Sequence, residues 1–124
     1  TEDFDTYPRG FEKDCVLLKQ EKADIVFAPE AERLYPEQYQ TYVNLLQLPN
    51  NLCGLSRPTF FKGVTTIVTK LFNIVKPDKA VFGQKDFQQL LIIRQMVKDL
   101  NFDIGIEAVP IVREKDGPAI SSRN

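Results

Sequence analysis

The sequence predicts an α/β protein built on a doubly wound parallel sheet. Short Val/Ile/Phe runs alternate with helix-length amphipathic stretches, and the links between them are brief. The 124 residues suffice for one modest core rather than two domains. A composition of 43% hydrophobic and 27% charged residues is ordinary for a globular chain and excludes a disordered tail or a fibrous repeat. No internal repeat or low-complexity segment breaks the pattern.

Each element follows from its spacing. Between Pro8 and about Ala23, Phe11, Cys15 and Leu18, flanked by Val16 and Leu17, recur at helical intervals and predict a first helix. Asp24-Ile25-Val26-Phe27-Ala28 reads as a short buried strand stopped by Pro29. Glu30 to Tyr35 fits a brief helix closed by Pro36, Gln40 to Leu46 an outer strand, and Asn50 to Gly54 a turn. Val64, Ile67, Val68, Leu71 and Val75 sit at i, i+3, i+4, i+7 and i+11, with Thr65, Thr66, Thr69, Lys70 and Asn73 elsewhere. That pattern predicts an amphipathic helix ending at Lys76-Pro77. Ala80-Val81-Phe82 is expected as a short buried strand. The turn Gly83-Gln84-Lys85-Asp86 then leads into a helix from Phe87 to Leu100, apolar around most of its circumference and therefore wedged between neighbours. Ile104 to Pro110, rich in Ile and Val, reads as the next parallel strand. In such sheets ligands bind outside the carboxyl ends of the strands, which places candidate sites after Phe82 and after Val109.

Composition narrows the chemistry. There is no histidine, so Ser/His and Cys/His hydrolysis and imidazole metal ligation are unavailable to this chain by itself. Cys15 and Cys53 form neither a C-x-x-C pair nor a zinc spacing, and two thiols in a domain this size fit a reducing cytosol. Basic and acidic residues number 16 and 17, which gives no electrostatic footprint for duplex DNA or an anionic membrane. Neither a charged-then-apolar leader nor an apolar run of about 18 residues is present, and a soluble intracellular protein is expected. The acidic start without an initiating Met and the polar end at Asn124 both read as cut positions.

The stretch Gly83-Gln84-Lys85-Asp86-Phe87-Gln88-Gln89 puts a glycine, a lysine and a helix start at the carboxyl end of a strand. Unpaired N–H groups and the positive end of the helix dipole make an anion site there, to which Lys85 adds a full charge. Asp86 and Gln89 also fit a helix capping box, and from local pattern alone the commoner cap is favoured by about two to one. Ser121-Ser122-Arg123-Asn124 offers hydroxyls and a guanidinium suited to phosphoryl oxygens, although such loops are more often only solvated. Arg57, just before a helix, could clamp a carboxylate or simply pair with a nearby acid.

Taken in order, Tyr7-Pro8-Arg9, Ser56-Arg57-Pro58-Thr59-Phe60-Phe61-Lys62-Gly63-Val64, the G-x-K-D-x-Q-Q stretch at Gly83 to Gln89, Val109-Pro110-Ile111-Val112-Arg113 and Asp116-Gly117 through Asn124 closely resemble the pantothenate synthetases, or pantoate–β-alanine ligases. The similarity runs end to end. It implies a Rossmann-like, nucleotidyltransferase-like fold in a cytoplasmic homodimer that activates (R)-pantoate with ATP and Mg2+, the ion bound through the ATP phosphates. Pyrophosphate leaves, and β-alanine then displaces AMP from the pantoyl-adenylate. By position, Lys85 looks like the ATP-phosphate lysine, Gly83 and Asp86 line the nucleotide and ribose side, and Val112 resembles an adenine contact. Ser121, Ser122 and Arg123, with Ile120 beside them, look like the family's phosphate-gripping loop. On the same basis, Gln89 resembles the pantoate-binding glutamine, and Arg57 lies near the active-site entrance. The resemblance overturns the preference for a plain cap at Asp86 and Gln89.

Two departures from the family pattern matter. Phe60 stands where members usually carry a histidine. The paired-histidine segment and its strand, expected before Thr1, and a C-terminal lid domain are absent, so residues 1–124 read as part of one nucleotidyltransferase domain. The isolated chain is accordingly expected not to turn over. The alternatives are a non-catalytic nucleotide-binding or assembly fragment and a related cytidylyltransferase.

Overall fold

A computed structural model of the protein describes residues 10–47 and 58–121. The expected turn at Asn50–Gly54 and the segments Tyr7-Pro8-Arg9, Ser56-Arg57 and Ser122-Arg123-Asn124 lie outside the described residues. In chain order the elements are α1 (Phe11–Gln20), α2 (Ala31–Leu34), α3 (Pro58–Val75), β1 (Lys79–Gly83), a 3-10 turn (Gln84–Asp86), α4 (Phe87–Asp99) and β2 (Gly105–Val109). They fall into two compact units, one of residues 39–119 and one of the residues through Gln38 with Ile120 onward.

The larger unit is a parallel α/β layer. β1 and β2 pair in parallel from Lys79↔Gly105 to Gly83↔Val109, and α4 is the crossover that a parallel pair requires. Beneath them Phe72, Ile93 and Met96 form a buried cluster, with Val43, Val64, Val68, Ala80, Phe82, Phe102 and Ile106 packed around it. Phe72 meets Phe102 edge to face at 5.6 Å. Leu90, Ile92, Ile93 and Met96 of α4 are all buried, but Arg94, Gln95, Lys98 and Asp99 are exposed, so the helix is covered along one side rather than wedged between neighbours around most of its circumference.

Helix ends are set by left-handed residues. Lys76 has φ +52° and is followed by Pro77, which stops α3 where expected. After α4, Asn101 has φ +58°, and the Phe102 N–H donates to the Val97 carbonyl at 3.1 Å. α1 closes in the same way at Lys22, φ +62°, with the Ala23 N–H donating to the Leu18 carbonyl at 2.9 Å.

Four further expectations are corrected. Asp24–Ala28 is no strand: it has no ladder partner among the described residues, and Ile25 is 86% exposed. Gln40–Leu46 is not a strand either, because the backbone of Val43 bonds to a helix instead. Its carbonyl accepts from Thr65 Oγ1 at 2.6 Å, and its N–H donates to Thr66 Oγ1 at 2.9 Å. These two threonines, assigned to the polar side of α3, are 1% and 2% exposed. The buried stripe therefore runs through Phe61, Thr65, Thr66 and Phe72, with Val68 half-buried beside it, and is rotated from the expected one, leaving Val75 exposed. Finally, β1 is covered on one face only. Ala80 and Phe82 are half-buried, whereas Val81 is 59% exposed beside the Lys79–Glu107 ion pair of 3.2 Å.

Candidate functional site

The register of the two strands decides where the site residues go. Because Gly83 pairs with Val109, both strands end at one edge of the sheet. The chain leaving β1 makes the 3-10 turn that carries Lys85 and Asp86, and the chain leaving β2 runs through Pro110 and Ile111 to Val112. Gly83, Lys85, Asp86 and Val112 are exposed there, and Gln89 is half-buried in the first turn of α4.

Gly83 is informative because its backbone does not need glycine. Its φ of −77° and ψ of +139° suit any residue, and a Cβ added there would meet nothing within 4 Å. Open space above a backbone with no internal reason for glycine is what close approach of a ligand requires. The capping box does not form. Asp86 occupies the N-cap of α4 with φ −96° and ψ +61°, outside the extended conformation usual for a cap, and its side chain makes no cap hydrogen bond. The first N–H groups of α4 therefore receive no side-chain cap from Asp86, and Lys85 projects from the turn before them.

Beyond Val112 the chain folds into a hairpin that spacing did not reveal. Arg113 and Ala119 form an antiparallel bridge, and Gly117 at φ +111° makes the turn between them. The Asp116-Gly117 pair was its available signal. Ile120, exposed, and Ser121, half-buried, belong to the smaller unit. Arg57, Ser122 and Arg123 lie outside the described residues. Phe60 is partly exposed and packs edge to face on Phe61 at 5.3 Å. Among the described residues no helix is long and apolar enough to cross a membrane.

An α/β layer with a lysine-bearing turn at the shared carboxyl edge of its parallel strands belongs to the class of α/β folds that take ligands at that edge. Residues 1–124 match the family model described as pantoate-beta-alanine ligase, and the chain belongs to that family. It is 57% identical to the pantothenate synthetase of Pseudothermotoga lettingae and 62% to that of Desulforapulum autotrophicum. Each match covers 99% of this chain and 44% of the relative, so the chain spans less than half the length of these curated proteins. Among solved structures, pantothenate synthetase from Thermus thermophilus superposes with a TM-score of 0.91 at 48% identity, over 95% of this chain and 43% of that one. A pantoate-beta-alanine ligase from Francisella tularensis, complexed with beta-gamma ATP and beta-alanine, gives 0.92 at 36% identity, over 99% and 48%.

Proposed function

We propose that this chain carries part of the ATP and pantoate site of a ligase that condenses (R)-pantoate with β-alanine. The observation that carries the reading is the exposed Lys85 turn, beside the open space over Gly83, at the carboxyl edge of β1 and β2. The beta-gamma ATP and beta-alanine named with the Francisella tularensis relative support the same substrates here.

The reaction joins an anion to a polyanion, so charge neutralisation comes first. A carboxylate oxygen of pantoate attacks the α-phosphorus of ATP, and the bond to pyrophosphate breaks. The amine of β-alanine then attacks the acyl carbon, and AMP leaves. Lys85 and the N–H groups at the start of α4 offset phosphate charge. Ser121, Ser122 and Arg123, with Ile120 beside them, grip the phosphates, while Gly83 and Asp86 line the ribose side and Val112 contacts the adenine. Gln89 and Arg57 orient pantoate for in-line approach.

The reading takes Mg2+ as bound through the ATP phosphates. When bound, that ion supplies further charge neutralisation at the triphosphate. The reading also places residues 1–124 within one Rossmann-like nucleotidyltransferase domain of a cytoplasmic homodimer, and the isolated chain binds without turning over.

The test is ATP binding by the protein and by Lys85→Ala. Loss of a full charge at a phosphate should cost about 1.5–3 kcal/mol, a fall in affinity of about tenfold or more. Equal affinity of the two proteins, or a preference for CTP over ATP, would overturn the assignment.

A further inference from the structure

The sheet face turned away from the buried cluster has a charged end and an apolar end. Paired residues of a parallel ladder point to the same side, so Lys79, Val81 and Gly83 share this face with Gly105, Glu107 and Val109. Toward its amino end the Lys79–Glu107 ion pair closes two charges on each other. At its carboxyl end Gly83 stands directly across from Val109, with Val81 two residues back on the same strand. Val81 is 59% and Val109 42% exposed, whereas Ala80, Phe82 and Ile106 pack on the buried cluster from the opposite face.

The carboxyl end is built to take a flat, weakly polar group. A Cβ at Gly83 would meet nothing within 4 Å, so the space over its backbone is open. The strand spacing of about 4.8 Å sets the Val109 isopropyl group beside that space as a wall. Lys85 follows two residues after Gly83 and supplies charge for a phosphate chain, while the two valines offer only apolar surface. Three residues beyond Val109 the same chain reaches Val112, read above as the adenine contact.

We infer that Val109 is a specificity-determining residue of the nucleotide site: its side chain is the apolar wall against which the nucleoside half of ATP packs over Gly83, while Lys85 takes the phosphate half. The inference rests on the ATP reading proposed above. The isopropyl group leaves water only when a nucleoside is present, so it favours a nucleotide over a bare polyphosphate.

Titration with ATP, adenosine and tripolyphosphate tests it, in the wild type and in Val109→Thr, Gly83→Ala and Lys85→Ala. Threonine keeps the shape and β-branching of valine, and at an exposed position its hydroxyl stays hydrated, so the melting temperature should hold. Binding then has to strip that hydroxyl of water and loses a methyl contact. Val109→Thr should therefore weaken ATP and adenosine alike by about fivefold, and tripolyphosphate by less than about twofold. Gly83→Ala, whose backbone suits alanine, puts a methyl into the same space and should weaken ATP and adenosine by about tenfold or more, again sparing tripolyphosphate. Lys85→Ala should show the reverse pattern, with ATP and tripolyphosphate weakened and adenosine unchanged. If Val109→Thr costs tripolyphosphate as much as ATP, Val109 acts on the fold or on the phosphates, and the inference is overturned. Unchanged adenosine binding in Gly83→Ala overturns it too, since the space over the glycine is then unused. So does unchanged ATP binding in Val109→Thr when Lys85→Ala is weakened, an outcome that leaves the ATP reading standing. If Lys85→Ala also binds ATP normally, both fall.

Discussion

Two threonine hydroxyls hold a whole segment of backbone. The Val43 N–H donates to Thr66 Oγ1, whose own O–H donates to the Lys62 carbonyl at 2.8 Å. Thr65 Oγ1 has a single proton for three nearby carbonyls, and the contact of 2.6 Å to Val43 is the one it favours over Phe61 at 3.0 Å. On either side, Lys62 lies 4.6 Å from the Tyr42 ring centroid and Lys70 lies 4.4 Å from that of Tyr39. Thr65→Val and Thr66→Val keep the side-chain shape but strip Val43 of its partners. Each should destabilise the protein by about 1–3 kcal/mol in urea denaturation. Asp86→Ala should behave in the opposite way. A formed cap costs about 1 kcal/mol to delete, whereas this one makes no cap bond, so a loss below about 0.5 kcal/mol is expected. Both corrections share a physical origin. A sequence shows that threonine is polar and that Asp-x-x-Gln can cap, but not which backbone group stands opposite each side chain.

At the scale of elements, long periodic segments were legible, and short apolar ones only where they flank a helix that crosses between them. α3 and α4 carry enough turns for periodicity to show, and Pro77 marks a stop that any helix must obey. β2 was readable because its Ile and Val residues follow a helix at the distance a crossover demands. Ile25-Val26-Phe27 looks just as strand-like, yet a strand exists only with a partner, and none lies beside it among the described residues. This difference is measurable. Ile93→Ala, in the buried cluster, should cost about 2–5 kcal/mol, whereas Ile25→Ala should change stability by no more than about 0.5 kcal/mol.

For the whole molecule, what could be read of the site was its chain order. Gly83, Lys85 and Asp86 were placed at a strand's carboxyl end from sequence, and the parallel register puts Val112 on the chain leaving the same edge. The hairpin that follows was missed because Arg113 is tied to Gly117 by geometry rather than by any periodic signal. The parallel pairing also bears on the order of folding. Every rung of β1 and β2 joins residues separated by the same short connection, most of it a helix that can form locally. Little loop entropy opposes closing that ladder, so the stretch from Lys79 to Val109 is suited to nucleate. Kinetic analysis of truncations at Ile93 and Ala108 should find their contacts largely made in the transition state, while those at Leu17 in α1 consolidate only afterwards.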